Sequence, residues 1–240
     1  MTHYYREMNL GKSLRLRRIF ANGRALIVPL DHRTDDPVPR VRSVARSGVD
    51  AVALSPGVLE RVIDDLAGLA VILRLNGSKR TPQLVSVQGA LELGAEAVLL
   101  RVDAHDARDL ERLGRVTEDA RRLGMPVFAE IMGEDLPAVV TIAAEYGADA
   151  IQTQTLGDGA DFRQTVRTAG RPVLASAGDM GSVGNLLRFV NDCLEAGGQG
   201  VVIEPQPEAV LAGINALVHQ GVSVMEALAI AESERVAAPE

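Results

Sequence analysis

One phrase occurs four times along the chain, and it constrains the fold more than any other feature. Each copy begins with a glycine that follows a helical pattern and then runs into a short apolar stretch. A glycine in that place is typical of a helix C-cap, and the apolar stretch is typical of a buried parallel strand. The copies lie about fifty residues apart, whereas one βα unit typically needs about 25–30. They read Gly48-Val-Asp-Ala-Val-Ala, Gly94-Ala-Glu-Ala-Val-Leu, Gly147-Ala-Asp-Ala-Ile-Gln and Gly198-Gln-Gly-Val-Val-Ile.

A second type of strand fills each gap between the copies. These strands are predicted at residues 25–30, 71–75, 126–131 and 172–176. Eight short strands that alternate with helical segments favour parallel pairing and right-handed crossovers. At this length, eight such units close into a (β/α)8 TIM barrel. An open doubly wound sheet is the alternative, but the sequence lacks the glycine-rich phosphate fingerprint of that fold.

We expect a single domain over residues 1–240. Residues 1–22 form a lead-in that either covers the bottom of the barrel or contacts another subunit, and residues 223–240 include a short acidic helix. The net charge of −7 and the pI of about 5.2 argue against a nucleic-acid partner. No apolar run reaches the roughly 18 residues that span a bilayer, and no secretory signal is evident, so we expect a cytoplasmic protein without a membrane partner. The single cysteine, Cys193, lies in an apolar helical pattern that predicts a buried structural thiol.

Charged residues stand at the ends of otherwise apolar strands, where TIM barrels carry their chemistry. Arg74 follows Ala-Val-Ile-Leu, and Arg101 follows Ala-Val-Leu-Leu. A buried arginine needs a carboxylate partner or access to a cavity, because a lone buried charge is very costly. Two interpretations remain open. The arginines clamp a substrate carboxylate or phosphate, or they brace the barrel with the acidic residues Asp103, Glu130 and Glu204.

Two carboxylates are candidate proton carriers. Glu130 lies in Pro-Val-Phe-Ala-Glu-Ile-Met, and Asp31 ends the first strand. A carboxylate in an apolar setting acquires a raised pKa, which suits a general acid or base near neutral pH. An ion pair with Arg101 is the alternative for Glu130, and His32 either binds substrate or caps its loop. The spacing of His, Cys and Asp does not resemble a metal site, and we expect no cofactor.

The chain resembles the archaeal-type class I fructose-bisphosphate aldolases and 2-amino-3,7-dideoxyheptulosonate synthase. The resemblance rests on the opening Gly11-Lys-Ser-Leu-Arg-Leu-Arg-Arg-Ile-Phe20 with Ala25-Leu-Ile-Val-Pro-Leu-Asp31-His32, and on Gly147-Ala-Asp-Ala-Ile-Gln-Thr-Gln-Thr-Leu-Gly-Asp158. It implies that Asp31 matches an aspartate of the family and that Ser176-Ala-Gly178 loosely follows its phosphate loop. It also implies that Gln152 replaces the Schiff-base lysine, Met132 the acid/base tyrosine, and Glu204-Pro205 the Gly-Arg phosphate pair. The resemblance further implies that this protein is a homo-oligomer.

A glutamine amide is not nucleophilic enough to form an imine. The main hypothesis is therefore an enzyme that joins or cleaves carbon–carbon bonds without a protein imine. Its most concrete form is a Pictet–Spengler condensation of an aryl-ethylamine or amino acid with an aldehyde or keto acid in secondary metabolism. The alternatives are an aldolase or transaldolase that uses a sugar phosphate, with Lys79 as a relocated nucleophile, and a non-catalytic binding protein. The expected substrate-binding residues are Arg74, Arg101, Gln152, Gln154, His32, Lys79, Asp103, Ser176 and Glu204.

Overall fold

The strands close into the predicted (β/α)8 barrel. A computed structural model describes residues 9–30, 36–77, 83–154 and 159–233. Eight parallel strands follow one another around the barrel in chain order, and the last pairs with the first. The strands are β1 Ala25–Pro29, β2 Ala51–Leu54, β3 Ala70–Arg74, β4 Ala97–Asp103, β5 Val127–Met132, β6 Ala150–Gln154, β7 Val173–Ala177 and β8 Gly200–Ile203.

Helices alternate with the strands, as predicted. Pro126 and Pro172 lie one residue before β5 and β7, and their carbonyls accept the N–H groups of Val98 and Ile151. In the described ranges, no helix is both long and apolar enough to cross a membrane. The α-helices are α1 Leu10–Ile19, α2 Val38–Arg46, α3 Pro56–Val62, α4 Val87–Glu92, α5 Ala107–Leu123, α6 Leu136–Glu145, α7 Gly159–Ala169, α8 Val183–Glu195, α9 Glu208–Asn215 and α10 Val224–Ser233.

The glycines of the repeat end their helices in the left-handed region, with one correction. Gly48, Gly94 and Gly147 have φ values of 71°, 79° and 91°. In the fourth copy the corresponding glycine is Gly197, with φ of 99°, one residue before the predicted Gly198. The pair Gly197-Gly198 made the register ambiguous in the sequence, and the start of β8 at Gly200 resolves it.

The corrected register reveals a repeated contact at the lower end of the barrel, which we define as the N-terminal ends of the strands. Two residues after each repeat glycine, a side-chain oxygen accepts a backbone N–H from the start of the preceding strand. Each contact satisfies a backbone donor where the sheet begins. The four pairs are Leu26 to Asp50 at 2.6 Å, Val71 to Glu96 at 2.9 Å, Val127 to Asp149 at 2.9 Å and Val173 to Gln199 at 2.8 Å.

Helix α1 closes this lower end, which fits the first of the two roles predicted for the lead-in. Leu16, Ile19 and Phe20 pack with the side chains inside the barrel, and the Phe20 ring stacks on Phe128 at a centroid distance of 5.9 Å. The Lys12 ammonium group lies 2.8 Å from the Asp149 carboxylate, in a buried salt bridge. Lys12, one of the two lysines of the chain, is therefore held at the end of the barrel opposite the strand C-termini.

Cys193 is a buried structural thiol, as predicted. It lies on α8 and is 3% exposed. Burial, assisted by the negative charge of Asp192, raises its pKa from 9.0 to about 12. The thiolate, which is the reactive form, is therefore scarce at neutral pH.

Candidate active site

Strand alternation brings a layer of polar side chains to the mouth of the barrel, which we define as the C-terminal ends of the strands. Ile72, Leu99 and Phe128 lie in the cluster that fills the interior. Successive side chains on a strand point to opposite faces, so the residues two positions later point the same way. This rule places Arg74, Arg101 and Glu130 at the mouth. By the same rule, Gln152 lies on the inward face of β6 and Ser176 on the inward face of β7. Glu204 follows in the same alternation, just beyond β8.

Glu130 lies between the two arginines. Arg74 Nη1 donates to Glu130 Oε2 at 2.9 Å, and Arg101 Nη2 lies 3.7 Å from Glu130 Oε1. The side chains of Arg74 and Glu130 are 12% and 16% exposed, whereas that of Arg101 is 31% exposed. The expectation that Glu130 has an apolar setting is therefore wrong, because two guanidinium groups border its carboxylate. The alternative ion pair with Arg101 is present as the longer of the two contacts.

The two arginines have similar strand sequences but different environments. Arg74 has a close salt bridge that is shielded from solvent. Arg101 has longer contacts, to Glu130 and to Met132 Sδ at 3.9 Å. Bracing therefore fits Arg74 better, and ligand binding fits Arg101 better.

Gln152 and Ser176 form a neutral pair beside this ionic group. Gln152 is 6% exposed, pairs with Glu130 in the register of β5 and β6, and donates from Nε2 to Ser176 Oγ at 3.0 Å. Gln154 pairs with Ser176 in the register of β6 and β7, and its side chain lies outside the described part. The inward face of β6 thus presents an amide at position 152, held by a hydroxyl on β7.

Asp103 and Glu204 do not brace the arginines. The Asp103 carboxylate accepts the His105 N–H at 3.0 Å, which caps the turn after β4, and Glu204 is exposed beyond β8. Neither forms a salt bridge with the arginines within the described ranges, so that part of the bracing interpretation is wrong. The predicted residues Asp31, His32 and Lys79 lie outside the described residues. Within the part of the chain that the structure describes, no group of three or more His, Cys, Asp or Glu side chains could hold a metal ion.

Sequence reasoning missed one residue of the site. Asn76 is 5% exposed, and its side chain binds the backbone of Arg101 twice. Asn76 Oδ1 accepts the Arg101 N–H at 2.8 Å, and Asn76 Nδ2 donates to the Arg101 carbonyl at 2.9 Å. Its position two residues after Arg74 could have indicated that its side chain also points inward.

A closed parallel barrel with ionisable groups at the strand C-termini is the arrangement of TIM-barrel enzymes. Residues 24–204 match the model of the DeoC/LacD family aldolases, and the chain belongs to this family. It is 31% identical to 2-amino-3,7-dideoxy-D-threo-hept-6-ulosonate synthase of Halobacterium salinarum, across 91% of this chain and 96% of that protein.

Solved structures agree with this assignment. A Schiff-base-forming fructose-1,6-bisphosphate aldolase has a TM-score of 0.71 and 26% identity, over 90% of this chain and 100% of that one. A fructose-bisphosphate aldolase from Slackia heliotrinireducens has a TM-score of 0.82 at 15% identity, over 96% of this chain and 92% of that one, and is similar in fold. The protein is thus an aldolase-family barrel of the kind that makes or breaks carbon–carbon bonds.

Proposed function

We propose that this protein is a carbon–carbon lyase or synthase for a small polar carbonyl compound that carries an anionic group. Family membership supports the reaction class. The proposed substrate class rests on the ionic layer at the mouth. There the partly exposed Arg101 side chain lies beside the Arg74–Glu130 pair. A guanidinium group with unused donors suits a carboxylate or phosphate.

We further propose that the reaction uses no protein imine on β6. Gln152 stands where the resemblance puts the Schiff-base lysine, and its amide lacks the required nucleophilicity. Lys12 is held by Asp149 at the opposite end of the barrel. Lys79, the other lysine of the chain, remains as the one lysine side chain that would restore an imine mechanism.

Without an imine, the cleavage step needs a base and a group that stabilises the enolate. The base removes the proton of the hydroxyl group β to the carbonyl, and a new carbonyl forms there as the carbon–carbon bond breaks. The electrons of that bond pass into an enolate, which then takes a proton on carbon. In this proposal Glu130 and Asp31 move protons, and Arg101 stabilises the enolate oxygen or a neighbouring anion. Synthesis is the same sequence in reverse.

Sugar phosphates and small keto acids suit this mouth better than an aryl-ethylamine. Relatives named for sugar-derived substrates support the aldolase alternative. A ring-stacking site would favour the Pictet–Spengler hypothesis, but the described aromatic side chains lie elsewhere. Phe20 and Phe128 are inside the lower barrel, Phe162 is buried on α7, Phe189 lies on α8 and Tyr146 follows α6. The condensation therefore stays a prediction for the assay to test.

The decisive experiment combines a substrate panel with trapping of imines. The protein is incubated with dihydroxyacetone phosphate plus aldehydes, with pyruvate plus aldehydes, and with tryptophan derivatives plus aldehydes or keto acids. Products are read by mass spectrometry, and parallel samples are reduced with borohydride for intact mass. We expect carbon–carbon products from one of the first two sets and no adduct on the protein. A stoichiometric adduct on Lys79 would replace the imine-free mechanism, and the absence of turnover across the panel would favour the non-catalytic alternative.

A further inference from the structure

We propose that Asn76 is a positioning residue, which fixes Arg101 at the mouth so that its guanidinium group meets the anionic group of the substrate. This inference rests on the proposed function, which gives Arg101 that ligand. It starts from the two hydrogen bonds that join the Asn76 side chain to the Arg101 backbone.

The hydrogen-bond ladder between β3 and β4 is interrupted just beyond Arg74. Leu75 N–H still donates to the Leu99 carbonyl at 2.9 Å. In a regular parallel ladder the Arg101 N–H would next donate to the Leu75 carbonyl. That carbonyl instead accepts the Leu84 N–H at 2.7 Å, where the chain returns through the Asn76–Gln83 bridge. The Arg101 backbone therefore needs partners other than the β3 backbone.

The Asn76 side chain supplies both of these partners. A primary amide carries an acceptor oxygen and N–H donors, so it can replace a peptide group of the missing strand. Its two bonds to Arg101 measure 2.8 and 2.9 Å, and at 5% exposure water has little access to compete for them. On the other side of β4, Arg101 pairs in register with Glu130. Asn76 thus keeps the Arg101 backbone in strand geometry beside the carboxylate.

This backbone support matters because the Arg101 side chain has weak anchors of its own. Among the described residues, its side chain lies 3.7 Å from a Glu130 carboxylate oxygen and 3.9 Å from the Met132 sulfur. The distance to Glu130 exceeds that of a normal N–H···O hydrogen bond, and the thioether sulfur of Met132 is only a weak acceptor. With such weak anchors, the place of the guanidinium group depends strongly on the position of the backbone from which the side chain extends. Loss of the Asn76 amide should move Arg101 while leaving its charge in place.

The test is a double-mutant cycle between Asn76→Ala and Arg101→Met, with binding of pyruvate and of inorganic phosphate measured by calorimetry. Loss of the amide should weaken binding of the preferred anion about tenfold, a change that corresponds to about 1.4 kcal/mol. Gln199→Ala is the matched control. It removes another side-chain amide that binds a strand backbone, but at the lower end, and it should leave anion binding unchanged.

The cycle separates positioning from general damage to the fold. If Asn76 acts through Arg101, Asn76→Ala should have no further effect in the Arg101→Met background. Asn76→Gln keeps the primary amide and adds no charge beside the anion site, so it should give a smaller loss of binding and provides a second variant if Asn76→Ala folds poorly. Hydrogen exchange of the Arg101 amide should accelerate in Asn76→Ala and stay slow in Gln199→Ala.

Two results would overturn parts of the inference separately. Equal weakening of binding by Asn76→Ala with and without Arg101, or a loss no larger than in Gln199→Ala, would remove the positioning role and leave the proposed function standing. Unchanged anion binding in Arg101→Met would instead remove the anion site of the proposed function, and the role of Asn76 with it.

Discussion

The two ends of the barrel use similar charged residues in different arrangements. At the lower end, Asp149 accepts a backbone N–H and also pairs with Lys12, and Asp50 likewise accepts a backbone N–H and lies 2.9 Å from His219 Nε2. At the mouth, the Glu130 carboxylate is shared between two guanidinium groups at unequal distances. At the lower end, the charged side chains are therefore paired in ways that stabilise the fold. The mouth leaves hydrogen-bonding capacity on Arg101 for another molecule.

Glu130→Gln should produce the largest functional effect, and it tests the proposal that the reaction takes place at the mouth. General-base catalysis contributes about 10²–10⁴-fold to rate, so kcat should fall by that factor in the assay identified from the substrate panel. The substitution also removes the salt bridge between Arg74 and Glu130. The double variant Arg74→Met/Glu130→Gln therefore serves as a control for stability. Turnover near that of the wild type would leave Asp31 as the proton carrier.

Lys12→Met tests the stabilising role of the lower end. It leaves the buried Asp149 carboxylate without its cation, which typically costs about 3–5 kcal/mol of the free energy of unfolding. Arg18→Met is the matched control on the same helix, because the Arg18 side chain is 71% exposed where it pairs with Glu96. That change should cost at most about 1 kcal/mol. Both are measured by denaturant unfolding, and a fall in kcat for folded Lys12→Met would contradict the division between the two ends.

Arg74→Met and Arg101→Met should separate two residues that the sequence presents alike. Arg74→Met should lower the melting temperature because Arg74 forms the close, shielded bond to Glu130. Arg101→Met should leave the melting temperature nearly unchanged and raise KM about 10–100-fold, the range that corresponds to one charged hydrogen bond. Thermal unfolding and steady-state kinetics of both variants test this. A large drop in melting temperature for Arg101→Met alone would return that residue to a bracing role.

Cys193 should give the smallest effect, confined to alkaline pH. Its folded pKa of about 12 lies above the ordinary thiol value of 9.0. The resulting stability is fully present below pH 9 and is lost as the pH rises towards 12, because the unfolded chain releases its thiol proton first. The free energy of unfolding should therefore decline over this window in the wild type and decline less in Cys193→Ala. Rapid alkylation of the native protein at pH 8 would contradict the burial that underlies this expectation.

Most of the fold follows from the sequence because its signals are local and repeated. Gly48, Gly94 and Gly147 each mark a helix end that only a residue tolerant of positive φ adopts easily, and the apolar runs after them mark strands. The error at Gly198 arose where two glycines adjoin and local preference does not choose between them. Long-range pairing of β8 with β1 and β7 supplied the choice.

The sequence by itself determined the repeat, the closed parallel barrel that the repeat favours, and the presence of charged residues at the strand ends. Only the tertiary structure decided which charges meet. Arg74 and Glu130 are 56 positions apart and lie on strands that are not adjacent, and nothing in their local sequences selects that pair over Arg101 with Asp103. The two hydrogen bonds between the Asn76 side chain and the Arg101 backbone were also decided by the tertiary structure, because they form where the ladder between two strands breaks. Local propensity acts over a few residues, whereas electrostatic and hydrogen-bond partners are set by the closure of the whole barrel.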